Sequence, residues 1–163
     1  MMSPPFAFEL RVEPCPVDEI LALRTRVLRP SFGQGQLARY DADPLETTTH
    51  ICARRLPSQE VIGCATTMLD PFEVMADPCA IRLRGMAVDP ERQGLGVGRR
   101  VLEAAITHSA LRAPLARYFW CNAREVAVEF YLAQGFKIHG ERFELEGIGP
   151  HFIMWTMMPA LLA

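Results

Sequence analysis

The stretch Val88-Asp89-Pro90-Glu91-Arg92-Gln93-Gly94-Leu95-Gly96-Val97-Gly98-Arg99-Arg100 constrains this chain more than any other. It joins an apolar, β-rich run, Ala80–Val88, to Arg99–Arg112, whose Val101, Leu102, Ala105 and Ile106 share one helical face. Three alternating glycines between a strand and a helix leave consecutive backbone N–H groups uncovered at the positive end of the helix. That geometry binds phosphate, and Arg92, Arg99 and Arg100 add mobile positive charge around it. Close packing of helix on strand is the competing reason for glycine; the clustering and the flanking arginines favour the anion site. A Walker-type loop needs Gly-Lys-Ser/Thr, and here Arg-Arg follows the last glycine. A dinucleotide fingerprint needs G-x-G-x-x-G at a first βα turn, whereas here the spacing is G-x-G-x-G and a hairpin pattern precedes it.

The rest of the chain supplies a sheet for this turn. Phe6–Val12 reads as an opening strand, and Val17–Leu28 as a helix with Asp18 and Glu19 in its first turn. Thr48–Arg54 and Val61–Leu69 flank the Leu56-Pro57-Ser58-Gln59 hairpin signal, and Ala116–Cys121 is a short apolar strand. Asn122 is expected to begin a helix running to about Gln134, because Asn122-x-x-Glu125 is a capping box and Gly135 suits the C′ position. Phe136–Leu145 and His151–Met158 are strands joined by Gly147-Ile148-Gly149-Pro150. The expectation is a single α/β (α+β) domain over residues 1–163. Its central sheet is mixed and mostly antiparallel, of about seven strands, with helices on its faces. Met154, Met157 and Met158 are expected to fill core, and Trp120 and Trp155 to pack there rather than wall a ligand site.

Charge narrows the partners. The chain has 17 basic and 19 acidic residues, net −2, which argues against a nucleic-acid partner. From Arg82 to Arg117 the local net is +4, leaving −6 elsewhere. No run approaches the roughly 18 apolar residues of a membrane span, and Met1–Leu10 has no secretory pattern. Five cysteines at wide spacings, without a C-x-x-C pair, fit neither a disulfide framework nor a metal site. A cytoplasmic protein, monomer or homodimer, without membrane partner or metal, is the expectation.

The glycine turn with its preceding Leu83–Pro90 resembles the GCN5-related N-acetyltransferase superfamily, whose signature is Q/R-x-x-G-x-G/A. Asn122 through Ala127 and Phe130-Tyr131 to Gly135-Phe136 matches a second motif of that superfamily. Gly140-Glu141-x-Phe143 and Gly147-Ile148-Gly149-Pro150-His151 look like an uncharacterised bacterial branch of it. The resemblance covers about Ile81 to Met158 and fits the first half more loosely. It implies acetyl-CoA as cofactor. It also implies a splay between the fourth and fifth strands, where the backbone of Met86, Ala87 and Val88 pairs with pantetheine. Arg92, Gln93, Gly94, Leu95, Gly96, Val97, Gly98 and Arg99 would hold the phosphates, and Asn122 would bond the pantetheine arm. CoA chemistry agrees, since a pyrophosphate on a long amide-bearing arm needs an anion nest beside an open strand edge.

Tyr131 occupies the position of the acid that protonates the departing thiolate in proteins so resembled. His151 is the leading candidate for the base, ahead of His50, Glu144 and Glu146, because imidazole is the side-chain type suited to that task. Cys121 has no histidine partner in its motif, so a covalent route through it is not favoured. The implied reaction is transfer of an acetyl group to the amine of a small molecule or peptide in a ternary complex. A silent acyl-CoA-binding sensor and an S-adenosylmethionine methyltransferase are the alternatives. The loops Pro30–Leu45 and Asp70–Pro78 are expected to shape the acceptor pocket. Their Asp41, Asp43 and Glu73, with neighbouring Glu46, hint at a cationic acceptor.

Overall fold

The computed structural model describes residues 8–160. Seven strands form one sheet: β1 (Glu9–Pro14), β2 (Thr49–Leu56), β3 (Glu60–Leu69), β4 (Ile81–Val88), β5 (Tyr118–Arg124), β6 (Lys137–Leu145) and β7 (Gly149–Met157). Their spatial order is β1-β2-β3-β4-β5-β7-β6, and every neighbouring pair is antiparallel except β4–β5. Three helices flank the sheet: α1 (Leu21–Leu28), α2 (Val97–Arg112) and α3 (Val128–Ala133). The architecture is the expected one. Phe6 and Ala7 of the expected opening strand lie outside the described residues.

Alternation along the strands divides the core between the two faces. On one, Val97, Val101, Leu102 and Ala105 of α2 pack on Ile51, Ala53, Ile62 and Leu83, and the same cluster runs on to Cys121 and Tyr131. On the other, Ile20 and Leu23 beside and within α1 pack on Cys52, Cys64 and Ala87. Met154 is fully buried, but Met157 is 66 % exposed, because it faces outward on the last residue of its strand.

The helix expected from Asn122 begins later. β5 runs through Asn122 to Arg124, with Asn122 opposite Ile153 of β7. A 3-10 turn, Glu125–Ala127, then leads into α3, and no side chain caps either segment. Pairing with β7 satisfies the backbone that the capping box would otherwise have served, so tertiary context overrides the local signal. The C-terminus of α3 follows the expectation. Gly135 (φ +87°) closes a Schellman motif in which Gly135 N–H donates to Leu132 O and Phe136 N–H to Tyr131 O, both at 3.0 Å.

Candidate active site

The parallel pair β4–β5 is joined only at Ile81–Phe119 and Arg82–Trp120. Beyond Arg82 the strands diverge, and among the described residues one edge of β4 from Leu83 to Val88 has no strand partner. The expected splay is there. A bulge sharpens it: Thr66 pairs with Arg84 but Cys64 with Ala87, so Ala65 faces two residues, Gly85 and Met86. The extra residue resets the alternation. Gly85 stays with Arg24 and Tyr40 on the α1 face, while Met86 turns to meet Tyr131. A cavity of about 430 Å³ fills the splay, reaching from Gln93 at one end to Tyr131 and His151.

At the Gln93 end, the turn is held by Asp89, whose carboxylate accepts from Glu91 N–H at 3.0 Å and from Arg26 at 3.1 Å. Burial alone would raise this carboxyl, but those donors outweigh it and hold it below the usual carboxylate value. Gly94 (φ +75°) and Gly96 (φ +86°) adopt the left-handed conformation that side chains resist. Among the described residues, no group accepts from the N–H groups of Gly94, Leu95 and Gly96, and no side chain caps α2. A polyanion fits these uncovered donors at a helix N-terminus. Gly98 has the other reason for glycine: a Cβ there would stand 3.3 Å from the Phe130 ring. Of the nearby arginines, Arg99 is paired with Glu103 at 2.8 Å, and Arg92 lies 5.8 Å from the Phe8 ring centroid. Gln93 Nε2 donates to Val88 O at 3.3 Å, at the end of the open edge.

Tyr131 is 6 % exposed, and its hydroxyl donates to Met86 Sδ at 3.6 Å beside the Cys121 thiol. Burial, reinforced by Cys121, raises this phenol well above its ordinary value, so it stays protonated. Cys121 is pushed up to about 12 by burial and is no nucleophile at neutral pH.

His151 is buried near the start of β7 and lines the same cavity. Its Nδ1 lies 2.8 Å from Gly149 O. A carbonyl can only accept, so Nδ1 carries the proton, and in the neutral ring Nε2 carries the lone pair. His50 is consumed elsewhere: Nδ1 meets Thr66 Oγ1 at 2.9 Å and Nε2 meets Asp43 O at 3.1 Å. Glu144 is exposed and paired with Arg142, and neither it nor Glu146 lines the cavity.

Asn122 lines the cavity on the face it shares with Arg124, across from buried Cys121 and Ala123. Neither tryptophan reaches it. Trp120 stacks on Phe72 at 5.2 Å and donates to Asp70 O, and Trp155 packs edge-on to Tyr118.

Folding redistributes these charges, and one expectation drawn from them is corrected. The basic stretch from Arg82 to Arg117 is not gathered around the turn. Arg112 reaches back to Thr49, Arg117 to Ala76 O, and Arg82 and Arg84 lie on β4. Nor does the cavity carry the acidic lining expected of an acceptor site. Asp43 is buried in an ion pair with Arg24 at 2.8 Å, and no carboxylate of either loop, nor Glu46, lines the cavity. Of the two loops, only Tyr40 reaches it. Of the residues that do line it, Arg29, Tyr40, Arg84 and Arg124 come from four separate segments. No local pattern in the sequence marks them.

A family model described as an acetyltransferase (GNAT) domain matches residues 46–138, more than half of the chain. The chain is 28 % identical over 152 residues to an uncharacterized N-acetyltransferase, YitI, of Bacillus subtilis, covering 91 % of this chain and 97 % of that one. Among solved structures, Escherichia coli ElaA superposes with TM-score 0.68 at 18 % identity, covering 91 % of this chain and 98 % of that one. The ribosomal-protein-S18-alanine N-acetyltransferase of Escherichia coli gives 0.67 at 16 % identity, covering 95 % and 97 %. An aminoglycoside 6'-N-acetyltransferase complexed with coenzyme A gives 0.68 at 13 %, covering 94 % and 99 %. Among the described residues no cluster of His, Cys, Asp and Glu is arranged to hold a metal, and no helix is long and apolar enough to cross a membrane.

Proposed function

The chain belongs to the GNAT acetyltransferase domain family, and on that footing we propose that it moves an acetyl group from acetyl-CoA to a primary amine. The acceptor is a small molecule or a peptide, attacked directly in a ternary complex, and residues 1–163 serve as one domain. The observation that carries this reading is one cavity along the open edge of β4, running from the turn at Gln93 to Tyr131 and His151. The Gly147–His151 turn carries the finer reading that the chain falls in an uncharacterised bacterial branch of the superfamily. Five free cysteines suit a cytoplasmic setting.

When bound, acetyl-CoA supplies an activated thioester whose sulfur must be protonated as it leaves. The amides of Gly94 to Arg99, with Arg92 and Gln93 at the rim, bind the pyrophosphate. The backbone of Met86, Ala87 and Val88 orients the pantetheine arm as an added strand, and Asn122 bonds it from across the splay. Tyr131 holds its proton at Oη and donates it to the leaving sulfur. His151 accepts the amine's proton at Nε2, directly or through water. An alkylamine of pKa about 10.4 is only roughly one part in a thousand neutral at pH 7, so this base matters.

The test is CoA release and product mass across a broad amine panel, beside melting curves with acetyl-CoA and with S-adenosylmethionine. Turnover of at least one amine, and a melting temperature raised by acetyl-CoA alone, is the expected result. Binding without CoA release would instead make the protein an acyl-CoA sensor.

A further inference from the structure

The end of the cavity on the α1 face carries three arginines from three elements: Arg29 just past α1, Arg84 on β4 and Arg124 at the end of β5. Arg29 and Arg124 donate to one and the same carbonyl, Leu28 O, at 2.8 and 2.7 Å, so two guanidiniums crowd a single acceptor. Arg84 lies over the Tyr40 ring, its Cζ 4.1 Å from the centroid. All three are half-buried. Their neighbours Arg24 and Arg82 are neutralised by Asp43 and Asp70. Among the described residues, Arg29, Arg84 and Arg124 enter no ion pair, and no carboxylate lines the cavity.

Like charges gathered in a partly desolvated cleft repel one another. The repulsion is felt: burial first, and then Arg82, Arg24 and Arg29, lower Arg84, while burial and then Arg29 lower Arg124. A bound oxyanion relieves that repulsion and pairs with planar guanidinium forks in the geometry they favour. The site is separate from the phosphate turn. Arg84 lies roughly 13 Å of extended strand before Val88, on the opposite face of the sheet from Met86 and Tyr131.

Building on the acetyltransferase reading, we propose that the acceptor is a small anionic amine, whose carboxylate or phosphate is held by Arg29, Arg84 and Arg124 against the Tyr40 ring. The oxyanion fixes the acceptor at the α1 face, and its amine points into the splay.

The test titrates inorganic phosphate and, separately, succinate onto the free protein and onto the protein saturated with CoA, followed by calorimetry. At least one oxyanion binds both forms. Arg84→Met and Arg29→Met each weaken it about tenfold, and Arg84→Lys recovers part of the loss. Melting temperature and the acetyl-CoA shift serve as fold controls. Matched acceptors, β-alanine against its amide and phosphoethanolamine against ethanolamine, separate carboxylate from phosphate. The preferred acid has kcat/KM about tenfold above the partner that lacks the oxyanion. Absence of oxyanion binding, binding indifferent to both substitutions, or binding abolished by CoA overturns the proposal. A protein that binds phosphate or succinate through these arginines but neither binds nor spends acetyl-CoA refutes the acetyltransferase reading instead, so the two failures are distinct.

Discussion

Tyr131 and Phe136 are joined twice: Phe136 N–H donates to Tyr131 O at 3.0 Å, and the two rings meet at 5.2 Å. Both contacts belong to the Schellman motif that ends α3, and together they fix where the Tyr131 hydroxyl points. Neither contact uses that hydroxyl. Tyr131→Phe therefore keeps the fold and the acetyl-CoA melting shift but lowers kcat by about 100-fold or more, the usual weight of a general acid. Steady-state CoA release beside calorimetry checks this; unchanged turnover removes Tyr131 from the reaction.

Gly85 sits at the bulge with φ +59°, and a Cβ there would stand 2.9 Å from Arg24 Nε and 3.0 Å from the Tyr40 ring. Gly85→Ala meets both backbone strain and crowding by buried groups. A loss of about 1–3 kcal/mol in urea unfolding is expected, with weakened acceptor kinetics because Tyr40 must shift.

His50 is held neutral chiefly by burial, which lowers its proton affinity despite Asp43 nearby. The unfolded chain takes up this proton near the ordinary value of about 6.5, and the folded chain only at lower pH. In that window the unfolded state binds more protons, so stability rises with pH and falls as pH drops below about 6.5. His50→Gln flattens the dependence of the urea midpoint between about pH 7 and about pH 5. An identical slope in the variant would show that His50 is not the sensor.

Cys121 is pushed up to about 12 by burial, which the neighbouring Tyr131 and Arg82 only partly offset. Only roughly one thiol in 10⁴ to 10⁵ is ionised at neutral pH. Iodoacetamide should leave Cys121 intact in the native protein and label it on unfolding, by peptide mass mapping. Initial-rate lines should intersect rather than run parallel, as direct transfer requires.

Much of the fold was legible because its signals act over a few residues. Alternation marks strands, three clustered glycines mark the entry into α2, and Gly135 marks the end of α3. Two readings failed where a local signal met a distant partner. Asn122 looked like a helix cap until β7 paired with it, and Asp43 looked like part of an acceptor site until Arg24 buried it. His50 and His151 were both strand histidines in the sequence; only packing spends one on Thr66 and Asp43 and leaves the other facing the cavity.

By itself the sequence determined the strand–glycine turn–helix unit and the order of elements around it, since backbone conformation and periodicity are properties of neighbouring residues. Only the tertiary structure decided which charges share a cavity. Arg29, Arg84 and Arg124 lie far apart along the chain and meet because α1, β4 and β5 converge at the splay. Electrostatic energy depends on distance through space, which chain order does not encode.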